Sequence, residues 1–396
     1  MRFTFTEEQE RFRQEVHDFL KPELTAGTFS VRIGDLTCES NRSFSQKMAQ
    51  RGWIGLTWPE EFGGQGRSYV DKMIMNEEIF KVQAPVGYHF MGDRQVGPAI
   101  LKFGSDWQKE SFLPPIVKAE EKSSFCILFS EPNAGSDMAA VSLRAEKDGD
   151  DYVLNGQKIW TSGGHTADYG WLLARTNLDS SVPGHLACSE FILDMKLSGI
   201  TVRPIINIAG THSFNEVFFD DVRVHKKFLV GEENAGFKHI MAQMDYERAG
   251  IERLTQNYCI YSQLKDYVRN MNGGKEDPEF YAWVKQAMGQ LEVEFNAGRL
   301  LCYYTAWLVG EGKNVSNEAA LAKAFCTQYE KRVNDAATQI LGPLSQLMAN
   351  SPWIPSPFIN DIAESYLWSP SYTLQGGSVE VLKNIIAQRA LNLPRR

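Results

Sequence analysis

The sequence contains no CxxC pair, and none of its six cysteines (Cys38, Cys126, Cys188, Cys259, Cys302 and Cys326) has a histidine at zinc-ligand spacing. This speaks against a metal centre or a disulfide framework, and the thiols read as reduced and mostly buried. No apolar run approaches the roughly 20 residues of a membrane helix. The opening MRFTFTEEQERF becomes charged too early for a secretory signal. Basic charge is also in short supply. Lysine and arginine total 41 against 49 acidic residues, a formal charge of −8 that argues against nucleic acid or an anionic membrane as the main partner. An anionic ligand is not excluded, because it needs only local donors. Internal repeats and low-complexity tracts are absent as well. The expectation is a soluble, cytoplasmic protein with no metal.

What is present is enough chain for two or three domains: 396 residues, 43% hydrophobic. Thr6 and Gln9 form a capping-box pattern before Phe12, Val16 and Leu20 at helical spacing. Further helices are expected over 42–50, 73–80, 98–103 and from Ser105 through Phe112, with LPPI as the stop. The glycine- and tryptophan-rich stretch 51–66 breaks the helical pattern. From about Ser123 to Val230 the pattern is strands and turns, with strands at 171–174, 191–193 and 214–219 around a polar loop at 177–185. Long helical periodicity returns over 237–271, 278–312 and 316–341, and from about Ser378 to Leu391. The fold class is therefore α+β. An N-terminal helical domain (1–122) is followed by a small β-barrel or sheet domain (123–230) and a C-terminal four-helix bundle (231–396).

The most informative stretch runs from Ser130 to Gly164. SEPNAGSD has the make-up of a tight polar loop, in which Pro132 and Asn133 set a turn and Gly135 permits close backbone approach. Ser136 adds a hydroxyl beside that glycine, a pairing suited to an anionic group. Val141, Leu143 and Ala145 alternate, KDGDD turns the chain, and Tyr152–Leu154 return it; NGQK reads as a second turn leading to Trp160, Thr161 and Ser162. A surface meander around a buried tryptophan has the same pattern as a cradle for a flat, anionic cofactor.

SEPNAGSD followed by NGQKIWTSGG resembles the flavin-binding stretch of the acyl-CoA dehydrogenase family, and the resemblance extends over essentially the whole chain. The loop at 51–66 is similar to the family's W-P-x-x-x-G-G segment, and FNEVFFDDVRV is similar to its later strand. The resemblance implies FAD as cofactor, an acyl-CoA thioester as substrate and α,β-dehydrogenation to the 2-enoyl-CoA. It also implies an electron-transfer flavoprotein as acceptor and a dimer or tetramer.

The reaction needs a carboxylate to take the α-proton and a flavin N5 to take the β-hydride. Family members carry that carboxylate near the C-terminus or on the first bundle helix. Aligning GSVEVLKN with the family's C-terminal pattern puts Gly376 at the first position, whereas MDYERAG places Glu247 directly before Arg248 at the second. Glu247 is the expected base, and the Gly376 N–H remains available to the thioester carbonyl.

By the same carry-over, Phe129, Ser130, Thr161 and Ser162 border the flavin ring, Trp160 packs at its dimethyl end, and Gly135 and Ser136 meet the pyrophosphate. Asp245, Arg248, Ser136, Gly376 and Gly377 serve the CoA thioester, and Asp93 opens the acyl pocket. Gln339 and Gly342 match a Q-x-x-G-G motif that reaches a neighbouring subunit's FAD, with Pro343 replacing the second glycine. Ser378 and Glu380 face the adenosine.

The family's R-x-x-F-G motif is replaced by YVRNMNGG, with Arg269 as its remnant. This brings in a heteromer with a paralogous subunit. A catalytically silent FAD-binding subunit, or an oxygen-using oxidase or monooxygenase on the same fold, are the alternatives.

Overall fold

The computed structural model describes residues 4–29, 40–248, 250–271, 277–348, 351–353 and 357–394. Helix α1 (Glu7–Thr25) starts at Thr6, where the Thr6 and Gln9 side chains satisfy each other's backbone N–H groups as a capping box. Asn41 caps α2 (Arg42–Gln50), and Ser68 with Asp71 forms a second capping box at α3 (Tyr69–Lys81). Helix α4 (Gly87–Met91) continues through a π turn, Gly92–Val96, into α5 (Gly97–Phe103).

Helix α6 (Asp106–Lys118) begins at the expected Ser105 cap but does not stop at LPPI. Pro114 and Pro115 each remove a backbone donor. The helix persists because Leu113, Ile116 and Val117 are buried beneath that turn, and Ala119, in left-handed conformation, ends it instead.

Eight strands follow in one sheet: β1 (Phe125–Leu128), β2 (Arg144–Asp148), β3 (Asp151–Lys158), β4 (Tyr169–Arg175), β5 (Cys188–Asp194), β6 (Ile200–Ile206), β7 (His212–His225) and β8 (Leu229–Val230). Their order is β6-β7-β3-β2-β4-β5-β8, with β1 parallel to β4. NGQK is not a turn. It continues β3 against β7, and the glycine marks a bulge at Leu154/Gly156, where an added Cβ would fall 2.9 Å from the Leu143 backbone. The inward alternation of Leu143, Ala145, Tyr152, Leu154, Val217 and Phe219 builds the sheet's core.

The expected helix over 237–271 is three pieces: α7 (Gly236–Arg248), α8 (Glu252–Thr255) and α9 (Tyr258–Asn270). Then come α10 (Pro278–Gly310), α11 (Ser316–Leu341), α12 (Pro357–Tyr372), which the periodicity had not singled out, and α13 (Val379–Ile385) with a closing π turn.

The described residues gather into two compact units. One is drawn from Met1–Gly34, Ser68–Ala84 and Arg248–Arg396, the other from Asp35–Arg67 and Pro85–Glu247. In the first, α3 packs on α1 and α10, and α11 on α10 and α12. Glu77, fully buried there, accepts from Arg13 (3.0 Å), Lys81 (2.8 Å), Arg299 (2.6 Å) and Tyr303 (2.6 Å). Burial alone would raise this carboxyl, but Arg299 and Lys81 hold it well below the usual range. The second unit contains the sheet.

Candidate functional site

In the sheet-containing unit, the structure joins the two halves of the Ser130–Gly164 stretch. The Ser130 carbonyl accepts from the Ile159 N–H (2.9 Å), so Phe129 and Ser130 lie alongside the segment carrying Trp160, Thr161 and Ser162. Beneath them, Lys158 is fully buried and donates to the Phe129 carbonyl (3.0 Å) and to Glu131 (2.8 Å). Glu131 also accepts from the Ser142 N–H and hydroxyl (2.7 Å each) and from the Leu143 N–H (2.9 Å). Burial would raise the Glu131 carboxyl, yet the Lys158 ammonium and these donors leave it below its ordinary value. Pro132 and Asn133 form the expected turn, bridged by Glu131 and Ala134. Gly135 and Ser136 are exposed, and open space surrounds Gly135 where a Cβ would stand.

Trp160 is not buried: the residue is 57% exposed, and its ring meets Phe214 edge-on at 5.9 Å. Its φ of 61° is a left-handed conformation that a bulky residue adopts at a cost, a strain typical of functional positions. The segment is clamped from the side by Asn215. The Thr161 N–H donates to the Asn215 carbonyl (3.1 Å), and the Asn215 amide returns a bond to the Thr161 carbonyl (3.0 Å). That bond fixes the amide's orientation, so Asn215 Oδ1 accepts from His212 Nε2–H (2.8 Å) and Nδ2 donates to His165 Nδ1 (3.1 Å). The two imidazoles stack at 4.0 Å; burial and then His212 lower the His165 pKa, which suits an acceptor Nδ1. Thr161 Oγ1 is buried with no hydrogen-bond partner among the described residues. An exposed aromatic shelf, an orphaned hydroxyl and an open glycine–serine loop fit a flat cofactor with a phosphate tail.

The root of α7 is anchored on the same unit. The buried Glu190 on β5 accepts from Trp171 Nε1 (2.8 Å) and from Gln243 at both oxygens (2.9 Å each), with His239 Nδ1 at 3.5 Å. His239 stacks on Phe103 at 4.1 Å. Asp245, Glu247 and Arg248 follow in the last turn of α7; their side chains lie outside the described residues. Asp93, 7% exposed, accepts from the Gly55 N–H (2.8 Å) and so holds the 51–66 loop, while Arg94 lies over Phe90 at 4.8 Å.

In the helical unit, Gly376 and Gly377 form a turn with φ of 65° and 93°, which glycine adopts without strain. Ser378 caps α13 by accepting from the Val381 N–H (3.3 Å), and Glu380 is exposed in the first turn. Gln339 is exposed on the last turn of α11, and Gly342 turns the chain just beyond with φ of 58°. Arg269 is exposed and paired with Asp266 (3.2 Å), and 272–276 lie outside the described residues.

Sequence reasoning passed over Lys158, Glu131, Asn215 and the Glu190–His239–Gln243 cluster. For Lys158 a signal existed, since it is a charge at an inward position of an alternating strand. Asn215 and Glu190 sit within strands whose alternation gives no hint of a polar partner.

Family models match three consecutive segments: acyl-CoA dehydrogenase N-terminal domain (6–120), middle domain (126–222) and C-terminal domain (234–391). The acyl-CoA dehydrogenase IpdE1 of Mycobacterium tuberculosis is 32% identical over 395 residues, covering 98% of each chain. Among solved structures, the Tcur3481-Tcur3483 steroid ACAD is similar over 100% of both chains with 29% identity and a TM-score of 0.88. The ChsE4-ChsE5 complex from Mycobacterium tuberculosis is similar over 100% of both chains with 30% identity and a TM-score of 0.84. With its three domains in this order, the chain belongs to the acyl-CoA dehydrogenase family and is an FAD-dependent oxidoreductase.

Proposed function

We propose that the protein oxidises an acyl-CoA thioester to its trans-2-enoyl-CoA, with Glu247 as the base that removes the α-proton. The observation that carries this reading is the shelf of the exposed Trp160 with the half-buried Ser130 and Ser162, backed by hydrogen bonds from Lys158 to the Phe129 carbonyl and Glu131 and from Asn215 to the Thr161 carbonyl. FAD, when bound, supplies the acceptor for the β-hydride at its N5. Phe129, Ser130, Thr161 and Ser162 border its ring, Trp160 covers one edge, and Gly135 and Ser136 receive the pyrophosphate. Ser378 and Glu380 serve the adenosine side, and Gln339 and Gly342 serve the FAD of a neighbouring subunit. Asp245, Arg248 and Gly377 bind the CoA portion, and Asp93 reaches the acyl group only through the loop it anchors. The Gly376 N–H donates to the thioester oxygen as charge builds there.

The division into domains at 122/123 and 230/231, a cytoplasmic location and an electron-transfer flavoprotein as acceptor belong to the same proposal. Among the described residues no helix is long and apolar enough to cross a membrane. Steroid-type acyl groups are the first class to try, because one similar structure is that of a steroid ACAD. A paralogous partner subunit accompanies the altered R-x-x-F-G segment, and one similar structure is a two-protein complex.

The test is an anaerobic visible titration of purified protein with straight-chain, branched and steroid-type acyl-CoA thioesters. Bleaching of the flavin band by one class supports the reading and names the class. A flavin band that none of them bleaches points to a silent subunit, and rapid reoxidation in air points to an oxidase. Glu247→Gln is expected to keep the flavin and lose about 10²-fold or more in turnover. Near-wild-type turnover moves the base elsewhere.

A further inference from the structure

Beneath the Gly376–Gly377 turn stands a lysine with no role in the reading above. Lys323, on α11, is 1% exposed, and its ammonium donates to the Gln375 carbonyl (2.7 Å) and to the Gly377 carbonyl. These carbonyls flank Gly376. The Gln375 carbonyl and the Gly376 N–H belong to one peptide unit, and the described chain has no cis peptide bonds. In a planar trans unit the C=O and N–H vectors are antiparallel. A cation holding the Gln375 oxygen therefore aims the Gly376 N–H the opposite way, out of the turn. Among the described residues that N–H has no intrachain acceptor. Binding a cation at the oxygen also draws electron density from the nitrogen and makes the N–H a stronger donor.

We infer that Lys323 is an electrostatic positioning residue for the reaction: its buried ammonium orients and polarises the Gly376 peptide so that the N–H stabilises the negative charge developing on the thioester oxygen. When the α C–H bond breaks, the proton passes to the base and the electron pair delocalises onto that oxygen. A donor already fixed and polarised lowers the cost of that charge without reorganising. Glycine suits the position twice over, since its positive φ is unstrained and no side chain screens the N–H. The inference rests on the dehydrogenase reading and on the thioester lying at Gly376.

The experiment compares Lys323→Gln, which keeps a neutral donor and removes the charge, with Lys323→Arg, which keeps the charge. Both are assayed as purified holoprotein for FAD content, thermal midpoint, kcat and KM. The acyl-CoA that bleaches the wild-type flavin fastest is then bound as its 1-¹³C thioester, and its carbonyl stretch is read by infrared difference spectroscopy.

K323Q is expected to retain FAD and to lose about 10- to 50-fold in kcat, with KM changed less than about 3-fold. Its bound carbonyl stretch should move up toward the free value, while K323R stays within about 3-fold of wild type in kcat. Wild-type kcat and stretch in K323Q overturn the inference, as does a loss of kcat that only follows lost FAD. If K323Q does not fold, the wild-type stretch decides, and a bound carbonyl at its free frequency overturns the inference. Failure of the parent reading is distinct: no thioester bleaches the wild-type flavin, and both ideas fall. Glu247→Gln separates the roles, because it should abolish turnover and leave the ground-state carbonyl shift in place.

Discussion

Two turns of this chain rest on a buried lysine, and the partners of those lysines differ. Under the 130–136 loop, Lys158 meets the carboxylate of Glu131, a residue of the loop itself, together with the Phe129 carbonyl. Under the 375–377 turn, Lys323 holds two backbone carbonyls. The 130–136 loop presents side chains, and an ion pair built into it fixes where they stand. The glycine turn has no side chains to present, so a cation on its carbonyls fixes the one thing it offers, the direction of its N–H. A buried cation opposite a carboxylate acts mainly as structure; opposite carbonyls, it also polarises a donor.

The sharpest way to break this comparison is Lys158→Met. It leaves Glu131 buried without its counter-charge, and removing one partner of such a pair costs about 3–5 kcal/mol, read as a fall in ΔG of urea unfolding. The double variant K158M/E131Q should recover at least half of that loss. The pH dependence follows from the depressed Glu131 pKa. A carboxyl held below its unfolded value of about 4.3 contributes stability above that pH and loses it as pH falls through the folded value. Wild-type ΔG should therefore drop below about pH 4, and less steeply in K158M/E131Q.

Lys323→Gln should cost less stability, about 1–2 kcal/mol, because it leaves neutral carbonyls rather than a charge. Its larger effect falls on kcat. A stability loss equal to that of K158M would erase the distinction between the two lysines.

Much of this arrangement was legible in sequence, and the limits are physical. Capping boxes at Thr6 and the cap at Ser105 are local, and the helices start where those residues place them. The hairpin over 144–154 survived because one face is buried, whereas Val141 and Leu143, expected in the same strand, precede β2. NGQK misled because asparagine–glycine favours a hairpin turn, whereas here the pairing of β3 with β7 overrides that preference and absorbs the glycine as a bulge. LPPI misled for the same reason, with burial of Ile116 and Val117 outweighing two lost donors. Lys323 was invisible because its partners are backbone carbonyls 52 and 54 residues away, which leave no trace in residue type.

The two glycine turns give the finest discrimination. Gly376→Ala forces a Cβ into left-handed backbone and should cost about 1 kcal/mol in the protein without ligand. Gly135 is different, since its φ is not in that region and an added Cβ there meets nothing within 4 Å. Gly135→Ala should therefore leave the unfolding free energy of the FAD-free protein within about 0.5 kcal/mol of wild type. Any cost must come from a ligand that occupies the open space. If the pyrophosphate approaches the backbone there, the methyl group displaces it and FAD affinity falls about 10-fold, measured by fluorescence titration of the FAD-free protein. Unchanged affinity removes Gly135 from the phosphate site and leaves Ser136 and the neighbouring N–H groups to carry it.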